Sequence, residues 1–430
     1  MSKEEFDMAK DWTAYQDSLK SFSESKGEPD WLLVNRIEAL EMISEKFIPR
    51  VDRFDYRDWE LFPAPVFNEE KANGNVPDFS KIGNEPLLVQ EAGRTIMEQL
   101  PNELLEQGVI FTDLFTALIK YPELVKKYLF QAVPADENKL TAYHTAFLNS
   151  GLFLYVPKNV KVDLPFAAEF IVSETAPLIP HILIVGDTNA EFTYVDHFNG
   201  NKSSAPIASI VTEVIAESGA QIHVQGMDAF AEQTLVYANR RGIAKRDAHI
   251  DWALAVMNDG NTLADFTTKL LKQGATSDAK IVALSTGDQL QGIVTKVLNL
   301  ASNTTGHIHQ HGAITQRGTL TFNGIGQIIK GARFADAQQE TRILALSREA
   351  HGDANPILLI DENEVQAGHA ASIGQVDQDD LYYLMSRGIQ KEIAERLVVR
   401  GFLGTVISAF SVQSVERELV EAIERKLKRL

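Results

Sequence analysis

Cysteine is absent from all 430 residues. That removes disulfides, thiol nucleophiles and thiolate metal ligands together, and leaves histidine and carboxylates as the side chains able to hold a metal. A phosphate-binding loop ending in Gly-Lys-Ser/Thr is missing too, since the nearest glycine cluster, NGIGQIIKGA, ends in Lys330-Gly331. Chemistry driven by ATP would therefore need another polypeptide. No apolar run reaches the roughly 18 residues that a membrane helix needs. The start, MSKEEFDMAKDW, is acidic and amphipathic rather than basic and then apolar, which predicts a cytoplasmic location without membrane association. Positive charge is scarce, with 41 basic against 59 acidic residues and a net charge of −18. Such a surface repels phosphate backbones, so nucleic acid is not an expected partner.

The hydrophobic content of 44% suffices for a large core. Three regions divide the chain: residues 1–150, 151–375 and 376–430. The first reads as helical. EPDWLLVNRIEALEMI places Leu33, Ile37, Leu40 and Ile43 on one helical face, and LTAYHTAFLNSG does the same for Leu140, Tyr143, His144, Phe147 and Leu148. His144 is expected to be a packed helix residue. Between these helices, residues 59–85 are rich in Pro, Asn and Gly and read as a loop.

From residue 151 the pattern changes to short strands separated by Gly, Asn and Asp. The segments NAEFTYV, GAQIHVQ, DAHIDWA and DAKIVAL stack as a repeat whose alanines, Ala190, Ala220, Ala248 and Ala279, are 30, 28 and 31 residues apart (220−190, 248−220, 279−248). Each repeat holds two strands and no long helix. Stacked units of that kind describe a flattened parallel β-helix, a mainly β fold.

Within it lies SNTTGHIHQHGAI, with His307, His309 and His311 at alternate positions. Imidazole is a common zinc and iron ligand, yet His307 and His311 would sit roughly 13 Å apart on a strand, so at most two of the three share one ion. Aligning Gly306 with the repeat alanines puts Phe192, Ile222, Ile250, Ile281 and Ile308 in an inward column. Glu191, Gln221, His249, Lys280 and His307 then form an outward one, in which only one carboxylate occurs. A solvated outer face is the reading this favours over a metal site.

The last region returns to helix. Asp377 and Asp380 open DQDDLYYLMSRG as a cap and acidic first turn, and Leu381, Tyr382, Leu384 and Met385 form an apolar face suited to docking a partner. KEIAERLVVRG is expected to end at Arg400-Gly401, and SVERELVEAIERKLKRL is acidic early and basic late, as the helix dipole favours.

The run DANPILLIDENEVQAGHAASIGQVDQDDLYYLMSRGI closely resembles the final signature of the SufB/SufD family of iron–sulfur cluster assembly proteins. EPDWLLVNRIEALEMI, RVDRFDYRDWELF, GVIFTDLFTALIKYPELVKKYL, SGLFLYVPKNVKVDLPF and FNGIGQIIKGARFADAQQETRILALS also look like family segments, so the resemblance covers most of the chain. It implies a right-handed parallel β-helix flanked by N-terminal and C-terminal helical regions. It also implies a complex with a SufB-like paralogue, which carries the cysteine used in cluster building, and a SufC-like ABC-type ATPase. Without cysteine, this chain resembles the branch that pairs with SufB. The expected role is thus a non-catalytic assembly subunit that binds no cofactor alone, meets a cluster transiently in the complex, uses ATP through its partner and can form a homodimer when isolated. The family histidine implicated in assembly corresponds to His369 in Gly368-His369-Ala370, and His351, in REAHGDANP, is a second candidate on the same part of the β-helix.

Three other readings compete. A SufB-like homo-oligomeric scaffold shares the fold but would need thiolates. A β-helix carbohydrate-active enzyme would need paired carboxylates along a groove. A histidine metalloenzyme would be built on HIHQHG.

Overall fold

The computed structural model describes residues 11–67, 85–172, 176–200 and 206–428. Of the segment expected to be a loop, residues 59–67 hold no helix or strand, and 68–84 lie outside the described residues. The core is a parallel β-solenoid of about eight turns, built as a ten-stranded and a nine-stranded sheet whose strands alternate along the chain. Solenoid strands run from Ser150–Val156 to Gln366–Gln375. No helix among the described residues is long and apolar enough to cross a membrane.

Each turn is pinned by a residue in the left-handed conformation just before a small buried one. Asn189, Asp247 and Asn303 have φ of 57°, 54° and 55°, and Gly219 and Gly274 have 73° and 74°. They precede Ala190, Ala220, Ala248, Thr304 and Ala275 in the same places of successive rungs, where Asn, Asp and Gly tolerate that φ best. The repeat residue of the fourth rung is thus Ala275, not Ala279: His249 pairs with Thr276, and Ala279 pairs with Trp252 and Ile308. The expected columns are correct for Phe192, Ile222 and Ile250 but slip by four residues at Lys280 and Ile281 and by two at His307 and Ile308. Both slips are even, so side chains keep their expected faces.

Inside the solenoid, Phe166, Phe170, Phe192, Phe198, Ile222, Ile250, Ile281 and Ile308 are buried, and the rings of Phe170 and Phe198 stack at 4.6 Å. Each such side chain contributes about 1.5–3 kcal/mol by leaving water. One charged group interrupts this interior. The Arg240 guanidinium donates to Asp196 Oδ2 at 2.7 Å and Asp228 Oδ1 at 2.8 Å, and all three side chains are buried. Near the C-terminal end the interior becomes polar: Gln310 donates to Thr295 Oγ1 and accepts from Thr341 Oγ1, both at 3.0 Å.

The N-terminal region is not purely helical, contrary to the periodicity reading. Among the described residues, six α-helices, α1 (Gln16–Lys26), α2 (Asp30–Glu45), α3 (Asn102–Glu106), α4 (Leu114–Lys120), α5 (Pro122–Tyr128) and α6 (Lys139–Phe147), are joined by strands Leu87–Glu91, Arg94–Gln99 and Ile110–Asp113. Strand Ile110–Asp113 pairs antiparallel with the first solenoid strand, and Arg94–Gln99 ends the other sheet antiparallel to Leu87–Glu91, so short antiparallel strands finish this end of the solenoid. In α2 the buried face carries Leu32, Arg36, Ala39, Leu40 and Ile43 rather than Leu33 and Ile37. Arg36 is buried because Glu28 meets it.

The junction between α6 and the solenoid is a buried polar network. Glu213 accepts from the backbone amides of Phe130, Ala132 and Val133 at 2.6–2.8 Å and lies 3.0 Å from His181 Nε2. His181 in turn meets His144, whose other ring nitrogen faces Ser209 O at 3.1 Å. Burial pushes the His144 pKa down, with His181 adding to it, so His144 is a neutral packed residue.

Three helices follow the solenoid: α7 (Gln378–Ser386), α8 (Lys391–Ile407) and α9 (Gln413–Leu427). Asp377 caps α7 by accepting from Asp379 N at 2.8 Å, with Asp379 and Asp380 in the first turn. The helix expected to stop at Arg400-Gly401 instead runs on to Ile407, because Gly401 and Gly404 face open space and the buried row Val399, Leu403 and Val406 continues. Leu403, Leu419 and Ile423 cover Met227, Met257, Val282 and Leu284 on the outer face of the ten-stranded sheet.

Candidate functional site

The two ends of the solenoid differ. The C-terminal end finishes on strands His351–Ile360 and Gln366–Gln375, each ten residues long and paired on one edge only. Unpaired N–H and C=O groups along such an edge are a template for another chain. Leu359, Ile360 and Ile373 are exposed there.

His369 sits on this last rung. Strand pairing aligns Ala279, Ile308, Gln339 and His369 in one column, whose first three members are buried. His369 therefore belongs to the inward-facing column, yet it is exposed because no rung covers it. An imidazole at the mouth of a polar interior can bind a metal ion or carry a proton for a group brought by a partner. His351 is not gathered to it. It begins the final strand of the other sheet, 67% exposed, with Nε2 at 3.0 Å from Asp353 Oδ2.

The histidines of HIHQHG face outward, and each meets its own carboxylate. His307 Nε2 lies 3.4 Å from Asp336, His309 Nε2 3.6 Å from Asp278 and His311 Nε2 2.8 Å from Glu340. The structure does not bring the three together on one point. Carboxylates do accompany them, against the sequence reading, because the corrected register sets Asp278 opposite His307 and Glu340 opposite His309. Burial lowers the His309 pKa despite Asp278. His311 is structural as well as polar: its Nδ1 lies 3.3 Å from Phe402 O on α8, and its ring stacks on Phe402.

Sequence reasoning missed a tighter group on the same outer face. His223, His249 and Asp251 each place a ligand atom within 4.8 Å of the others. Burial alone would raise the Asp251 pKa, but the two imidazoles outweigh it and hold the carboxyl well below its ordinary range. The available signal was the pair IHV and HIDW in successive repeats.

The apolar face assigned to α7 is split. Leu381 is buried and Leu384 packs into the same apolar cluster, on the side of α8, whereas Tyr382 is 74% exposed and Met385 also faces solvent. Docking through this helix would use Tyr382, Met385 and the neighbouring exposed Tyr383, with Leu381 and Leu384 holding the helix down.

The sequence is similar to those of known proteins. The family model described as SUF system FeS cluster assembly, SufBD core domain, matches residues 170–402, and that of the SufBD protein N-terminal region matches residues 64–167. The chain is similar to the iron–sulfur cluster assembly protein SufD of Bacillus subtilis (strain 168), 42% identical over 428 residues, covering 96% of this chain and 98% of that one. An iron–sulfur cluster assembly SufBD family protein of Staphylococcus saprophyticus is 27% identical over 409 residues, covering 90% and 87%.

Proposed function

This chain belongs to the SufB/SufD family of iron–sulfur cluster assembly proteins, and on that premise we propose that it is the non-catalytic partner of a SufB-like paralogue in a complex completed by a SufC-like ATPase. The observation that carries this reading is the C-terminal end, two parallel ten-residue edge strands, against the short antiparallel strands of six and four residues at the other end. A paralogue with the same fold would extend both sheets and enclose His369. In isolation a second copy of this chain would meet the same edges. The cluster is cargo formed within the complex, with thiolates supplied by the paralogue and His369 at its margin. The ATPase would dock on α7, whose exposed Tyr382 and Met385 are apolar, and move the subunits through α8 and α9. The setting is cytoplasmic.

Co-expression with SufB-like and SufC-like chains from the same genome tests the reading. A stable three-component complex is expected. Tyr382→Asp combined with Met385→Asp should weaken ATPase binding about tenfold or more and leave pairing with the paralogue intact. Retention of the ATPase by that variant would place docking elsewhere. A truncation at residue 376 is a poorer test, because removing α8 and α9 uncovers Met257, Val282 and Leu284.

A further inference from the structure

The outer face of the ten-stranded sheet carries a column with unusual composition. Strand pairing aligns His223, Asp251, Asp278 and His307 on four adjacent strands, so that two carboxylates stand directly opposite one another between two imidazoles. Like charges in that relation repel, and they persist where positive charge compensates. Lys280 and His309 meet Asp278. Among the described residues, Asp251 is met by imidazoles alone: His223 Nδ1 at 3.1 Å from Oδ2 and His249 Nε2 at 2.8 Å from Oδ1.

Two details mark Asp251 and its neighbour as more than an ion-pair cluster. Asp251 Oδ1 and Asp278 Oδ1 are both buried and, among the described residues, accept no well-aligned hydrogen bond, although His249 Nε2 stands 2.8 Å from the first and His309 Nε2 3.6 Å from the second. In addition, His249 Nδ1 lies 2.6 Å from Thr276 Oγ1. That hydroxyl can accept Nδ1–H when an ion displaces the proton from Nε2, the arrangement by which a second partner orients a metal-binding imidazole. The separations of 2.8 and 3.1 Å lie close to those between donors sharing one ion about 2.1 Å away.

We propose that His223 Nδ1, His249 Nε2 and the Asp251 carboxylate form a binding site for one first-row divalent transition metal ion, such as zinc or ferrous iron, with Asp278 as the adjoining carboxylate. Two imidazoles and one carboxylate suit such ions and leave coordination positions open, whereas magnesium and calcium prefer all-oxygen sets. All three side chains are about one-third exposed on the solenoid's outer wall, so the ion reaches the site from solvent. The site is distinct from His369 and the open end, and it requires no partner chain.

The test uses the full-length, untagged chain stripped with chelator. Cobalt(II) is titrated in and followed by visible absorption, and zinc(II) by calorimetry. One saturable site is expected, weakened about tenfold or more by His249→Gln with Asp251→Asn, and likewise by His223→Gln alone. His223→Gln changes one side chain about one-third exposed, so it reports on the site even if the double variant folds poorly. His351→Gln with His369→Gln should bind as the parent does. Absence of saturable cobalt or zinc uptake by the folded parent, or uptake unchanged in His223→Gln but lost in His307→Gln with His309→Gln, would overturn the assignment.

Discussion

Arg240→Ala is expected to destabilise the solenoid by about 3–5 kcal/mol, because it strands the carboxylates of Asp196 and Asp228 in the interior without their counter-charge. The native arrangement is already poised: burial, aided by Asp196, raises the Asp228 pKa against the pull of Arg240. Without the guanidinium, a carboxyl pKa in the folded state rises further above its unfolded value. The unfolded chain then holds fewer protons than the folded one, so stability falls as pH rises. The loss should therefore be larger at pH 8 than at pH 5. Urea unfolding of parent and variant at both pH values is the measurement. Arg240→Ala combined with Asp196→Asn and Asp228→Asn should recover part of the loss, since the buried charges are gone. A loss below about 1 kcal/mol at pH 8 would show that the bridge does not neutralise those carboxylates.

The second large effect is functional. His369→Ala should reduce cluster formation by the assembled complex about tenfold or more, while the chain's unfolding midpoint stays near that of the parent. The side chain is exposed at the open end, so its removal creates no cavity. The comparison variant, His307→Gln with His309→Gln, touches only outward, partly solvated ion pairs and should assemble clusters at the parent rate. His311 is left out of that comparison because it is nearly buried and joins the sheet to α8 through Phe402. Rates of cluster appearance in the three complexes decide the ranking. Full activity of His369→Ala, with loss in the double variant, would reverse it.

The solenoid was legible because strand alternation and the spacing of buried alanines are local signals. Its register was less so: Ala279 is as small and as buried as Ala275, and nothing in composition distinguishes which one follows the left-handed turn residue. Faces survived the error because both slips were even. The antiparallel end strands escaped notice because they are short, Ile110–Asp113 having four residues set among helices. Glycine misled at Gly401, where a solvent-facing position tolerates it within a helix. His369 was identifiable through family resemblance alone, since its chemical meaning comes from the uncovered end of the stack. Which edge of a strand stays unpaired leaves no mark in its residues. The expected register already set His223 opposite Asp251, but reading one outward column at a time kept His249, two residues from Asp251 on the same strand, from being grouped with them.

Anaerobic reconstitution with ferrous iron and sulfide, read by visible absorption and by iron and sulfide analysis, tests the central claim most directly: a chain without cysteine acts in cluster assembly only through its partner. The isolated chain should form no stable cluster, whatever single metal ion it holds, and the complex with the SufB-like paralogue should form one. A stoichiometric iron–sulfur cluster on the isolated chain would contradict the account.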